Sequence, residues 1–229
     1  MSQPTAAEVE SYRFGGSRAR PRKNIPANTL RGVHYLKKPH SLKTKYPTAA
    51  IAIDVQCCQD STIHVLDVTE QVQLSDLNNC RVVIGPCVGS VLIMDCTNCV
   101  ISVAAEQIRL RDVTSSELRV FAPTASECVV LETSRDIAIR AWDAAYPQLN
   151  AQFALAGWGA GATNNWARVY DFSPPADSAA PNHRLVDEST QAASRWCELS
   201  IEGSTVREIV SSQPSVEGCE CPIAAADGT

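Results

Sequence analysis

The sequence has no run of apolar residues approaching the roughly 20 that a membrane-spanning helix requires, which excludes a helical span. Its first residues, Met1-Ser2-Gln3-Pro4, carry neither the apolar core of a secretory signal nor the glycine directly after Met1 that myristoylation needs. A cytoplasmic location is therefore expected. No glycine-rich phosphate loop follows a predicted strand, and the four histidines, His34, His40, His64 and His183, are scattered without a cysteine or serine at motif spacing. This argues against a self-contained hydrolase, and nothing in the sequence asks for a cofactor. Aromatic residues make up only 6% of the chain, and seven of the thirteen fall between Trp142 and Phe172.

What is present suffices for one well-cored domain: 229 residues, 45% of them apolar. The net charge of -5 conceals an asymmetry, because residues 1–50 hold ten Lys or Arg against Glu8 and Glu10, giving +8 there and -13 beyond. This N-terminal segment is Pro-rich and lacks apolar periodicity. It is expected to form a basic, flexible arm, serving solubility or docking on an acidic surface. Residues 51–175 carry the folded domain. After Pro174 and Pro175 the chain turns Ser-, Ala- and Glu-rich, so residues 176–229 are expected to be a mostly irregular tail. The ten cysteines, without a secretory signal, are expected as reduced thiols that behave as small hydrophobes.

Short β-rich runs recur between Ile51 and Arg140, as where Val72-Gln73-Leu74-Ser75-Asp76 returns as Val91-Leu92-Ile93-Met94-Asp95. Leu74, Ile93, Leu110 and Val130 follow one another at 19, 17 and 20 residues, a period that suits one turn of a triangular β-solenoid. The chain is thus expected to be all-β, a right-handed parallel β-helix of four or five coils. Ile63, Val65, Val72, Leu74, Val82, Ile84, Val91, Ile93, Ile108, Leu110, Cys128 and Val130 would fill its interior. Leu77-Asn78-Asn79-Cys80 and Cys96-Thr97-Asn98-Cys99 read as corners, where Asn tolerates tight bends. Pro147, Leu149 with Phe153, and Gly157 predict a short C-terminal capping helix over one open end.

The strictly alternating segment Glu106-Gln107-Ile108-Arg109-Leu110-Arg111-Asp112 sends Ile108 and Leu110 inward, so Gln107, Arg109 and Arg111 point outward. Carrying the period to the neighbouring coils flanks Arg109 with Leu92 and Val129, and Arg111 with Met94 and Leu131. Four apolar residues around two guanidinium groups have the composition of an interface, unless the N-terminal arm covers them. The cysteines offer Cys96-x-x-Cys99 beside Cys80 and Cys87, but no second C-x-x-C pair or nearby histidine, so no metal is expected. Cys80 and Cys99 fall at equivalent repeat positions and are expected to stack.

The stretch Gly85-Pro86, Gly89-Ser90-Val91, Asp95-Cys96-Thr97-Asn98-Cys99 and Gln107 to Asp112 resembles the domain family of tubulin-binding cofactor C and the X-linked retinitis pigmentosa protein. Ala145-Tyr146-Pro147-Gln148-Leu149, Asn164-Asn165-Trp166, Asp171-Phe172 and Pro181-Asn182-His183-Arg184-Leu185 follow in the family's order, so the similarity spans roughly residues 52–188. The resemblance implies a β-helix whose Gln-x-Arg strand lies against a GTP-binding partner. That partner would be tubulin, with the other tubulin folding cofactors, or an Arf-like GTPase in its GTP state.

In this resemblance Arg109 would act in trans as an arginine finger and Gln107 as its neighbour. Arg111 and Glu132 would lie beside them, and Asn164, Asn165 and Trp166 would either brace the partner-facing side or touch the partner. The family's double Gln is Glu106-Gln107 here, and the stretch from Asp112 to Glu132 is about three residues longer. A catalytically silent scaffold at the cytoskeleton, centriole or basal body is the competing expectation. Actin-monomer binding, as in the related domain of cyclase-associated proteins, is disfavoured by the Gln-x-Arg and Asn-Asn-Trp motifs. No nucleic-acid partner is expected.

Overall fold

The computed structural model describes residues 10–15, 34–35, 51–159, 161–175, 180–186, 196–202 and 205–211. Most of the expected basic arm, much of the expected tail, and Cys219 and Cys221 lie outside these residues. The strands are β1 (Glu10–Gly15), β2 (His34–Tyr35), β3 (Ile51–Gln59), β4 (Thr62–Val65), β5 (Thr69–Asn78), β6 (Arg81–Met94), β7 (Val100–Arg111), β8 (Thr114–Phe121), β9 (Val129–Glu132) and β10 (Arg135–Ala141). There follow β11 (Ala144–Ala145), helix α1 (Leu149–Leu155), β12 (Val169–Asp171), β13 (His183–Leu185), β14 (Trp196–Glu202) and β15 (Thr205–Ser211).

Each coil hydrogen-bonds to the next through parallel ladders, which makes the domain a parallel β-helix. One ladder runs β1, β3, β5, the second halves of β6 and β7, then β9 and β12. The other runs β2, β4, the first halves of β6 and β7, then β8, β10 and β13. The two long strands, β6 and β7, bend at register shifts and so belong to both faces.

Inward positions in each coil stack on those of the next. Ile53, Val72, Val91, Ile108 and Val129 are register partners in sequence, all at most 2% exposed. Burying each Val, Ile or Leu of this column stabilises the stack by about 1.5–3 kcal/mol relative to exposure. All the expected interior residues lie in this core except Val130. The last coil is out of step with the expectation by one residue, because the steps of 19, 19 and 17 residues are followed by one of 21 from Ile108 to Val129. Val129 and Leu131 therefore point inward at 0% exposure, and Val130 takes the outward place, where its neighbours still leave it only 7% exposed. A one-residue slip exchanges the two sides of a strand, so Val129 and Leu131 cannot contribute to an outer surface.

The corner between the two ladders is built from two columns of left-handed backbone bends. One column stacks Cys57, Asp76, Asp95, Asp112 and Thr133, at φ of 56°, 56°, 53°, 54° and 50°. The other stacks Asp60, Asn79, Asn98, Ser115 and Asp136. Asp and Asn tolerate this conformation through local hydrogen bonding, which is why the corners read as they do. Cys80 and Cys99 do stack between these bends, with Sγ directed 3.3 Å from the carbonyl oxygens of Asn78 and Thr97 respectively. Burial pushes Cys58 up to about 12, and the hydrogen bond shared with Cys80, together with burial, raises Cys99. Cys58 and Cys99 stay protonated and serve as core.

Stacked carboxylates are unfavourable. Burial, then Asp95, raises Asp76, and burial, then Asp112, raises Asp95 against the pull of Arg111. A raised folded-state pKa means that the fold binds the proton more tightly than the unfolded chain, so the ionised Asp95 destabilises at neutral pH. That deficit is full above the folded pKa and disappears as pH falls through it toward the unfolded value of about 3.9. Asp95→Asn keeps the left-handed preference and removes the charge, so thermal denaturation should show a higher Tm at pH 7 and a gain that shrinks as pH falls toward 4. A constant gain across that range would assign the effect to something other than charge.

On the third side of the stack, two glycines allow close contacts. A Cβ at Gly89 would sit 2.3 Å from the Glu70 carbonyl oxygen, and one at Gly85 would sit 2.7 Å from the Tyr146 hydroxyl. The expected helix forms at Leu149–Leu155, followed by Gly157 at φ 81°. It covers the flank of the stack, because its cluster with Trp142, Tyr146 and Trp158 takes in Leu66, Val83, Ala104 and Phe121 from consecutive coils. Gln152 fixes it by donating to the Leu66 carbonyl at 2.9 Å and accepting from Tyr146 Oη at 2.6 Å. Downstream, β14 and β15 form an antiparallel pair, with β14 joined in parallel to β11 and Leu199 buried in the same lateral cluster.

Candidate functional site: the outer face of the first ladder

The two ladders present opposite kinds of surface. Outside the second ladder the charges are satisfied internally. Arg119 holds Glu117 at 2.7 Å and also pairs with Asp143, and Arg140 reaches Glu117 at 3.2 Å. Ser102 donates to Asp143 at 3.0 Å and receives Arg81 Nη1 at 2.8 Å. Burial disfavours the charged form of Arg119, but Asp143 and Glu117 more than offset this and keep it ionised.

Outside the first ladder the strand alternation sets up three parallel columns that run along the stack. The central one is Gln73, Leu92, Arg109, Val130 and Tyr170, each the register partner of the next. Beside it run Ser75, Met94, Arg111 and Glu132, and Phe172 continues this column, its backbone N–H bonded to the Leu131 carbonyl at 2.8 Å. On the other side stand Gln71, Ser90 and Gln107. Gln107, Arg109 and Arg111 are exposed, Leu92 and Met94 half-buried.

The two arginines differ in their surroundings. Arg111 Nε lies 3.6 Å from Asp112, and its register partner is the half-buried Glu132. Its charge therefore has an acidic neighbour in the next residue. Arg109 makes no hydrogen bond or ion pair with any described residue, and Leu92 and Val130 flank it in the adjacent coils. An aliphatic stem between two apolar neighbours keeps its charged head in water, so Arg109 stands as an uncommitted cation on a rigid strand.

Asn164 and Asn165 act on the loop after β8. Asn164 Oδ1 accepts the Ala122 N–H at 2.9 Å and its Nδ2 donates to the Val120 carbonyl at 2.8 Å. Asn165 Nδ2 donates to the Pro123 carbonyl at 3.2 Å, and Arg168 Nη1 to the Ala125 carbonyl at 2.7 Å. Trp166 packs half-buried against the main core. These contacts hold the segment 122–128 in which the extra residues before β9 are accommodated, and they carry the observed register of Val129 to Glu132.

Two residues of this face escape a reading by repeat period: Tyr170, 41% exposed, and Phe172, 58% exposed. Their rings meet edge to face, with centroids 4.8 Å apart. With Leu185 they are the large exposed hydrophobic side chains among the described residues. Asp171-Phe172 was visible as a motif, but nothing in its spacing located it on the same columns as Arg109. Among the described residues no group of His, Cys, Asp and Glu has the arrangement of a metal site, and no helix is long and apolar enough to cross a membrane.

The family model described as "Tubulin binding cofactor C" matches residues 51–172. "Tubulin-specific chaperone C" of Homo sapiens is 29% identical over 128 residues, covering 56% of this chain and 36% of the relative. The Mus musculus protein of that name is 32% identical over 118 residues, covering 51% and 33% respectively. "Tubulin-folding cofactor C" of Arabidopsis thaliana is 28% identical over 140 residues, covering 61% and 39%. The chain thus spans between 33% and 39% of the length of these curated relatives.

Proposed function

Because the chain belongs to the tubulin binding cofactor C family, we propose that it works on tubulin in the cytoplasm, as part of tubulin folding, by stimulating GTP hydrolysis in trans. Arg109 is the finger and Gln107 stands beside it on the same strand. The observation that carries this reading is the contrast between Arg111, which lies beside Asp112, and Arg109, exposed and unpaired among the described residues. Charge developing on a transferred phosphoryl group is best met by a planar, permanently charged donor fork held in place beforehand. A β-helix strand supplies that preorganisation, and the apolar neighbours supply contact area. Catalysis in this reading needs no nucleotide site on the chain itself.

Glu106, exposed next to Gln107, favours a second reading in which the face binds without accelerating hydrolysis. An acid there opposes the approach of a phosphate. The test is single-turnover GTP hydrolysis by tubulin with the other folding cofactors, and separately by an Arf-like GTPase, each with and without the protein. Stimulation names the partner class. Measurable binding with an unchanged hydrolysis rate would leave a scaffold in place of an activator.

A further inference from the structure

The corner between the two ladders carries reactive groups that the arginine face does not use. Where successive coils enter the second ladder, Ser61, Cys80, Cys99 and Ser116 each directly precede a member of the register series Thr62, Arg81, Val100 and Glu117. All four side chains take one pose. Ser61 Oγ and Ser116 Oγ donate to the carbonyl two residues back at 2.7 and 2.8 Å, and Cys80 Sγ and Cys99 Sγ do the same at 3.3 Å. The two thiols repeat a further contact, to the carbonyls of Cys58 at 3.5 Å and Leu77 at 3.6 Å. Equal poses on successive rungs set one sulfur above the other. Their backbones are one rung apart, about 4.8 Å, within the roughly 4.4–6.8 Å that a disulfide spans between Cα atoms. Among the described cysteines no other two share a column on adjacent rungs, since Leu77 separates Cys58 from Cys96.

We propose that Cys80 and Cys99 form a reversible redox staple, in which hydrogen peroxide oxidises Cys80 to a sulfenic acid and Cys99 closes a disulfide between the two coils. Cys80 Sγ, as thiolate, attacks one peroxide oxygen. The O–O bond breaks, and the departing hydroxide takes up the proton that Cys80 released and leaves as water. Cys99 Sγ then attacks the Cys80 sulfur, the S–O bond breaks, and the hydroxide leaves with the Cys99 proton as a second water. The thiols together lose two electrons, which the peroxide gains. The order follows from the hydrogen bond between them: Cys99 as donor favours the Cys80 thiolate and holds it below the usual cysteine range, while Cys99 itself is raised. At 3% and 1% exposure the pair admits an oxidant little larger than water and keeps bulkier disulfides out. The bridge closes a loop of one coil, which restricts the unfolded chain and locks β6 against β7. This chemistry is independent of the reading of Arg109.

The experiment treats the full chain, reduced and folded, with hydrogen peroxide and maps the products by mass spectrometry. A disulfide between Cys80 and Cys99 is expected, with loss of two titratable thiols and a higher Tm, both reversed by dithiothreitol. Cys99→Ser is expected to stop at a Cys80 sulfenic acid, trapped by dimedone on unfolding, and Cys80→Ser to leave Cys99 unlabelled. Serine fits both places, as Ser61 and Ser116 show, so each variant should keep a Tm near that of the reduced wild type. A folded wild type that retains both thiols, or takes Cys80 on to the sulfinic acid without a bridge, overturns the staple. A bridge that forms only in denaturant, or one that lowers Tm, overturns it equally. Should a serine variant fail to fold, the wild-type map still decides.

Discussion

Arg109→Ala should lose essentially all stimulation of GTP hydrolysis, a fall of about 10^3–10^5-fold at saturating protein. The strand itself should be unaffected, because the side chain is exposed and its neighbours keep their register. Arg109→Lys should recover little, since an ammonium offers a point charge where a planar fork is required. Arg111→Ala should retain most of the rate, because Asp112 already shares that charge. Single-turnover hydrolysis across these three variants separates the roles. A full rate in Arg109→Ala would refute the finger, and selective loss in Arg111→Ala would transfer the role to the neighbouring column.

Leu131→Ala is expected to destabilise the fold by about 2–5 kcal/mol, the range for removing a fully buried leucine side chain. Had this residue faced outward, as an even 20-residue step implies, the same change would leave no cavity inside the stack and would cost less. Val130→Thr, an outward change of similar shape, should have a much smaller effect than Val129→Thr, which buries a hydroxyl in the core. Denaturant unfolding with an unchanged m-value would give these differences directly. Equal losses at positions 129 and 130 would contradict the observed register.

Local alternation made most of the core and the outward direction of Gln107, Arg109 and Arg111 legible, because each strand carries its own in-and-out signal. The partners of Arg109 in the preceding coil were legible for the same reason, with a corner of constant size between Leu92 and Arg109. The following coil was not. Its phase depends on how many residues the loop 122–128 absorbs, and that is decided by hydrogen bonds from Asn164, Asn165 and Arg168 some 40 positions away. Tyr170 and Phe172 were hidden by the same distance, since their rung forms by pairing with β9 across a helix and a loop. The helix was predictable from Pro147, the spacing of Leu149 and Phe153, and Gly157. Its place on the flank depends on Leu66, Val83, Ala104 and Phe121, which line up only once the coils are stacked.

The ladders also act as a ruler with fixed graduations. Because every outward side chain on the face stands on a rung, the spacing between Arg109 and Tyr170 along the stack can change only in whole steps of about 4.8 Å. Adding or deleting one complete coil between β7 and β9 would move Tyr170 relative to Arg109 by one graduation while both continue to face the same way. A partial coil would instead turn one of them into the core. Variation along this face across such chains is thereby restricted to discrete lengths, set by counting coils.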